Sequence, residues 1–278
     1  MSPQGAAEEF ALGHEGATLR GETAGEGAPI LLLHGLTATR RYVVHGSRAL
    51  ERGGHRVVSY DARAHGASSP ADEPSTYRYE VLARDAMAVL DHLGIERAAL
   101  AGQSMGSATA VAVALAHPDR VRHLTIVTPA HRGRPSGNVA YWDRLADGLE
   151  EGGPEGFLAA MGLDSVDERW REVVAKVILQ RMARHEHPDA VADALRWIPR
   201  SAAFDGMEAL TRLRVPTLVV GSRDDTDPDH PLAVAEEYAR LIPGARLVVE
   251  APGESPLAWR GGALSKEILA SLAEAAQA

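Results

Sequence analysis

Ser104 stands in the pentapeptide Gly102-Gln103-Ser104-Met105-Gly106. A serine hydroxyl becomes a useful nucleophile only when a neighbouring base takes its proton and fixed donors receive the charge that attack on a carbonyl creates. Its surroundings suit that task. Residues 98–101 are a short apolar run that reads as a buried strand, and residues 107–116 have the composition of a helix. Strand, tight turn and helix with serine at the apex is the setting in which G-x-S-x-G carries chemistry. The turn strains the serine backbone, and small flanking residues let strand and helix pack closely. The helix N-terminus beside it offers free N–H groups and partial positive charge to an oxyanion. The alternative is a glycine-rich turn with a chance serine, and the rest of the chain has to decide between them.

The elements that must position this residue can be read in order. Residues 8–24 hold two short segments around Gly13-His14-Glu15-Gly16 and read as an edge hairpin. Apolar runs at 29–33, 56–60, 121–128, 215–220 and 246–250 read as strands, the first two buried on both faces. Helices are predicted at 40–52, 77–93, 231–241 and 262–276. Strands alternating with helices imply a mostly parallel sheet flanked by helices on both faces. The alternation breaks after Pro129. Residues 131–213 contain no convincing strand and carry helical patterns at 139–150, 166–184 and 188–197. The expected organisation is therefore a core built from residues 1–130 and 214–278, with a helical insertion at 131–213 after the sixth strand.

A length of 278 residues fits one large α/β domain with such an insertion. The net charge of −9 and the lack of a basic cluster argue against nucleic acid or an anionic membrane as partner. The chain has no cysteine, which removes disulfides, thiolate metal sites and cysteine nucleophiles. Residues 1–9 are polar and acidic rather than an export signal, and no apolar run reaches the roughly 18 residues needed to span a bilayer. A cytoplasmic location is expected. Asp224, Asp225, Asp227 and Asp229 cluster, but without the spacing of a calcium loop. No metal and no cofactor are expected.

With these landmarks in order, the sequence resembles the α/β-hydrolase family over nearly its whole length. His34-Gly35 follows the strand that would carry the first oxyanion loop. Asp61-Ala62-Arg63-Ala64-His65-Gly66-Ala67-Ser68 is similar to the family's D-x-R-G-H-G-x-S segment, with Ala64 in place of a glycine. Gly102 to Gly106 matches the nucleophile elbow, and Gly221-x-x-Asp224-x-x-x-Pro228 matches the turn that carries the acid. The insertion at 131–213 sits where the family has its helical cap. The resemblance implies Ser104 as nucleophile, the backbone N–H groups of Leu36 and Met105 as oxyanion hole, and Asp224 as the acid that orients a histidine. It also implies that His34 and His65 brace loops.

One landmark departs from the pattern. The family's histidine follows the last strand, where this chain reads Glu250-Ala251-Pro252-Gly253-Glu254-Ser255-Pro256, so Glu254 takes its place. No histidine occurs after His230. A solvated glutamate, with a pKa of about 4.3, is a poor base for serine and a poorer acid for the leaving group. Burial beside another carboxylate would raise that value and make Glu254 usable. Otherwise His230 or His131, each on a loop after a strand, could substitute. The expectation is that Glu254 points toward Asp224 or Ser104, with His230 near but not in contact. The function implied is a hydrolase acting on a small ester, thioester, lactone or amide through Ser104, with a non-standard triad. The alternative is a catalytically inactive protein that binds an apolar ligand on the same scaffold. Trp142, Trp170, Trp197, Met161 and Met182 of the insertion could line its pocket or simply pack its helices.

Overall fold

Alternation within one apolar run sets the plan of the molecule. In the computed structural model, which describes residues 7–277 apart from Ser165, Asp225, Thr226, Pro228, 256–258 and Arg260, Leu31 and Leu33 belong to one buried cluster and Ile30 and Leu32 to another. Successive side chains of a strand point to opposite faces, so a run apolar at every position needs cover on both. Burying each such side chain stabilises the fold by about 1.5–3 kcal/mol.

Strands β1 (Glu8–His14) and β2 (Ala17–Ala24) form the edge hairpin, and β3 (Ala28–Leu33) follows. A four-residue helix α1 (Ala49–Arg52) leads to β4 (His55–Asp61) and α2 (Tyr79–His92). Next come β5 (Ala98–Gln103), α3 (Met105–Ala116) and β6 (Val121–Val127). Between β6 and the next strand lie α4 (Val139–Met161), α5 (Glu168–Met182) and α6 (Pro188–Trp197). The chain closes with β7 (Thr217–Gly221), α7 (Leu232–Leu241), β8 (Arg246–Val249) and α8 (Gly262–Ala275). The eight strands are ordered β1-β2-β4-β3-β5-β6-β7-β8, antiparallel at the hairpin and at β2–β4 and parallel elsewhere. Residues of α2, α3 and α7 cover one face, while Leu50 of α1 and Leu264 and Ile268 of α8 cover the other. No helix among the described residues is long and apolar enough to cross a membrane.

The predicted helix at 40–52 is a correction. Only a 3-10 turn, Arg40–Tyr42, and α1 form there. Asp61 takes both the backbone N–H of Arg40 (2.7 Å) and its guanidinium (2.5 Å), which pins the start of the segment to β4. His45 (φ 47°) and Gly46 (φ 73°) then break any helical path. The helix expected at 139–150 instead runs on to Met161, with a kink at Gly153 (φ 60°) just before Pro154.

The helical insertion has its own core, built on Leu145, Leu149, Phe157, Ile178, Met182 and Leu195. Trp142 and Met161 pack against that core and so serve the packing of the insertion, while the guanidinium of Arg169 lies over the Trp170 ring. Trp197 is 41% exposed. The turn after α5 ties the insertion to the sheet. His185 Nδ1 accepts the N–H of Gly66 (2.9 Å), its Nε2–H donates to the Thr37 carbonyl (3.1 Å), and Glu186 N–H donates to the Gly66 carbonyl (2.9 Å).

Burial lowers the pKa of His123, His131 and His185 alike, from the ordinary 6.5 to about 4. A base whose folded pKa is depressed favours the folded state fully above its unfolded pKa and loses that advantage as pH falls toward the folded one. These three rings should therefore make stability decline steadily as pH falls from 6.5 to 4, as followed by urea unfolding. His123→Gln, which keeps a donor for Ser271, should flatten the decline by up to about 1.4 kcal/mol per pH unit.

Candidate active site

Two glycines fix the geometry of the elbow. A Cβ on Gly102 would stand 2.1 Å from the Gly106 carbonyl oxygen, and one on Gly106 would stand 2.0 Å from that of Leu33. Neither position admits another residue, because the N-terminus of α3 lies directly against the ends of β3 and β5. Ser104 between them takes φ 52°, ψ −113°, a backbone that L-residues rarely adopt. The strain is held from both sides. Ser104 N–H donates to the Val127 carbonyl (3.0 Å), and its own carbonyl accepts Ser107 N–H (2.9 Å), Ala108 N–H (3.1 Å) and the Ser107 hydroxyl (2.6 Å). The side chain is left half-exposed at the carboxyl end of the sheet.

The residue beside the hydroxyl is His230. Ser104 Oγ donates to His230 Nε2 at 2.7 Å, and His230 Nδ1–H donates to Asp227 Oδ2 at 2.7 Å. His230 and Asp227 share one turn of the loop after β7, in which His230 N–H also closes on the Asp227 carbonyl (3.3 Å). Burial lowers the pKa of His230, but the charge and hydrogen bond of Asp227 raise it more, with help from Asp229, so it lies above the ordinary imidazole value. Burial raises Asp227, but the charge and hydrogen bond of His230 outweigh it, and the carboxyl sits below its usual range.

Three expectations from sequence are corrected here. His230 is in contact with Ser104, not merely near it. Glu254 is exposed and turned back on its own chain, accepting the Ala251 N–H at 3.0 Å, so it reaches neither Ser104 nor Asp224. Asp224 does not orient the imidazole, since both ring nitrogens of His230 are taken by Ser104 and Asp227. Asp224 instead contributes backbone to the turn, its carbonyl accepting Asp227 N–H (3.1 Å). Asp225 and Pro228, also singled out in the sequence, lie outside the described residues, as does Pro256. His131 is not at the nucleophile. Its Nε2 accepts Ala203 N–H (3.0 Å), and its ring packs on Tyr79 and Phe204.

The loop owes its position to a glutamate inside the predicted strand 246–250. Glu250 directly follows β8, is 5% exposed, and accepts through Oε1 from Ser222 Oγ (2.8 Å), Arg223 N–H (2.6 Å) and Ser255 Oγ. Trp259 Nε1–H donates to the Gly221 carbonyl (2.8 Å) and reaches Glu250 Oε2 (3.2 Å). Burial alone would raise the Glu250 pKa, but these donors hold it below the carboxylate range. The end of β8 thus anchors the loop that carries Asp227 and His230.

The first loop faces the serine from the other side. A Cβ on Gly35 would stand 3.4 Å from that of Ser104, so the segment leading to Leu36 lies against the serine, while Met105 opens α3. His34 braces this loop, with Nδ1–H donating to the Gly35 carbonyl (2.8 Å) and Nε2 accepting Ala62 N–H (2.8 Å). His65 lies between the rings of His34 and His185, its Nδ1–H on the Arg63 carbonyl. Among the described residues no cluster of His, Cys, Asp or Glu could hold a metal.

A family model described as alpha/beta hydrolase fold matches residues 28–259. The chain belongs to the α/β-hydrolase family. It is 33% identical over 232 residues to a putative carbamate hydrolase RutD of Azorhizobium caulinodans, covering 83% of this chain and 85% of that protein. Among solved structures it is similar to the enol-lactonase of Burkholderia xenovorans LB400, with a TM-score of 0.77, 26% identity and coverage of 95% of this chain and all (100%) of the other. It is also similar to a thermophilic esterase of Thermogutta terrifontis, with a TM-score of 0.76, 27% identity and coverage of 98% and 99%. The eight-stranded, mostly parallel sheet flanked by helices is that of an α/β hydrolase.

The coupling within the turn is open to direct measurement. An NMR titration of the His230 ring should give a midpoint above 6.5, and Asp227→Asn should bring it below 6.5. That substitution removes the two largest contributions that favour the imidazolium and leaves burial, which opposes it.

Proposed function

We propose that this α/β hydrolase cleaves a small ester, thioester, lactone or amide by nucleophilic attack of Ser104, with His230 as general base and Asp227 as its orienting acid. The observation that carries the reading is the 2.7 Å contact between Ser104 Oγ and His230 Nε2, continued at 2.7 Å to Asp227. Ser104 Oγ attacks the carbonyl carbon and passes its proton to His230 Nε2. The N–H groups of Leu36 and Met105 receive the oxyanion. His230 then returns the proton to the leaving group, and water, activated by the same imidazole, releases the acyl group from the serine. Asp227 stays ionised throughout and stabilises the imidazolium. The helices between β6 and β7 act as a cap over this site.

The relatives point the same way. Carbamate, enol-lactone and ester substrates, the ones that the names of the similar proteins give, all present a carbonyl bonded to a heteroatom that can leave. The reading as a binding protein rested on an absent imidazole, and an imidazole 2.7 Å from the hydroxyl speaks against it.

A fluorophosphonate probe should label the protein at Ser104 and leave Ser104→Ala unlabelled. His230→Ala and Asp227→Asn should each slow hydrolysis of p-nitrophenyl acetate on the order of 10³- to 10⁴-fold. Glu254→Gln, a change at an exposed side chain, should stay within about twofold. The rate should rise with pH through the His230 midpoint, since only the neutral ring accepts a proton. Labelling that ignores Ser104, or a His230→Ala protein as fast as the parent, would overturn the reading.

A further inference from the structure

Thr37 keeps a backbone that its side chain resists. It is the third residue of the turn that Ala38 N–H closes on the Gly35 carbonyl (3.0 Å), and its φ is 103°. Glycine takes positive φ at that place in a turn freely, whereas a β-branched residue does so only under constraint. Strain of this sort persists where neighbours over-determine it, and it gathers at functional sites. This turn begins at Gly35, which lies against Ser104, and the residue before Thr37 is Leu36. Leu36 N–H belongs to the same planar peptide as the Gly35 carbonyl, so it points away from whatever that carbonyl accepts. The Gly35 carbonyl accepts Ala38 N–H and His34 Nδ1–H (2.8 Å). The aim of Leu36 N–H therefore depends on the turn staying closed.

The constraint on Thr37 comes from the insertion. His185, in the turn between α5 and α6, is 8% exposed. Its Nε2–H donates to the Thr37 carbonyl (3.1 Å) and its Nδ1 accepts Gly66 N–H (2.9 Å). A carbonyl only accepts and an amide N–H only donates, so these partners fix the tautomer. Burial keeps the ring neutral, which lets one nitrogen accept while the other donates. The ring is itself secured. Glu186 N–H donates to the Gly66 carbonyl (2.9 Å), and the His185 ring meets that of His65 edge-on with centroids 5.6 Å apart. The turn is thus held at its first carbonyl from the sheet and at its third from the insertion.

We propose that His185 is a positioning residue for the hydrolysis: by holding the Thr37 carbonyl it keeps the turn closed and Leu36 N–H aimed at the oxyanion, so that the oxyanion hole is complete only while the insertion is docked. The oxyanion in this statement rests on the serine-hydrolase reading above, while the hold on the turn does not.

Two substitutions separate the two contacts of the ring. Glutamine can place its amide nitrogen where Nε2 stands and still donate to Thr37, whereas asparagine reaches only the Nδ1 position and still serves Gly66. With p-nitrophenyl acetate, His185→Asn should lower kcat roughly 10- to 100-fold, short of the roughly 10²- to 10³-fold cost of a lost oxyanion donor. KM should stay within about twofold, since the contact matters only when the oxyanion forms. His185→Gln should keep the larger part of the rate, losing no more than about threefold. Thr37→Gly, which takes the positive φ unaided, should return most of the rate to His185→Asn. The His230 midpoint should not move, because neither contact belongs to the Ser104–His230–Asp227 chain. Hydrogen exchange gives a readout that needs no catalysis. The Ala38 amide should exchange at least about tenfold faster in His185→Asn than in the parent or in His185→Gln. If the parent cleaves no ester while Ala38 exchange still follows residue 185, the hydrolase reading fails and the hold on the turn stands. A His185→Asn protein as fast as the parent, a rise in KM alone, equal losses in the two variants, or no rescue by Thr37→Gly would overturn the proposal. Equal losses would mark His185 as a tie between insertion and sheet and nothing more.

Discussion

The close approach of α3 to β3 at Gly106 is the constraint from which the rest of the site follows. With a Cβ-to-oxygen distance of only 2.0 Å, no side chain fits, so the helix begins directly on the strand ends. That contact leaves Ser104 no room for an ordinary turn and forces the positive φ that lifts its hydroxyl out of the backbone path. The Gly35 backbone also lies against the Ser104 side chain there. Strain of this kind persists only where the surroundings over-determine it. Here the four hydrogen bonds on the Ser104 main chain do so, joining the turn to β6 on one side and to the first turn of α3 on the other.

Because Ser104 is fixed so rigidly, its partner can come from wherever the sheet brings an imidazole within reach. The resemblance led us to expect it after β8. In this chain the place after β8 holds Glu250, whose buried carboxylate gathers donors from Ser222, Arg223, Ser255 and Trp259. The two arrangements put the same end of β8 to different use. In one it would present a base directly. In the other it holds the neighbouring β7 loop, which brings Asp227 and His230 together in a single turn. A short loop with its own carboxylate and imidazole needs an outside anchor, because the Asp227–His230 pair, with the Asp227 side chain 45% exposed, contributes little rigidity by itself.

The fold was legible because its signals are local and repeated. Continuous apolar runs separated by glycine turns specify buried parallel strands, and the gap in that rhythm at 131–213 marks the insertion. The elbow was legible because its glycines answer a steric demand that a sequence records directly. The failed helix at 40–52 was not, since the carboxylate that captures Arg40 lies on a different strand. The partner of Ser104 was half-legible. His230 was a candidate, but the spacing of Asp227-Pro228-Asp229-His230 was the missed signal, because a turn folds a carboxylate back onto the imidazole three positions later. Glu250 gave no signal at all. A glutamate at the end of an apolar strand announces its burial only through donors that the fold supplies.

The insertion is bound to this machinery through the same loops that build it. His185 grips Thr37, the residue after Leu36, and Gly66, in the segment that follows β4, so the turn between α5 and α6 bears directly on the loop that lies against Ser104. Leu36 packs against both the insertion's core and the cluster beneath the elbow. Tyr141 of α4 reaches Asp229 at 3.4 Å beside the base. A shift of the insertion would therefore move groups on both sides of Ser104 at once. Neutral imidazoles suit this junction better than charged side chains would. His34 and His185 each donate through one nitrogen and accept through the other, which lets them join two backbone segments in a dry interface without placing a cation beside His230. Burial keeps those rings neutral, and the imidazole beside Asp227 is left as the one whose surroundings favour its charge.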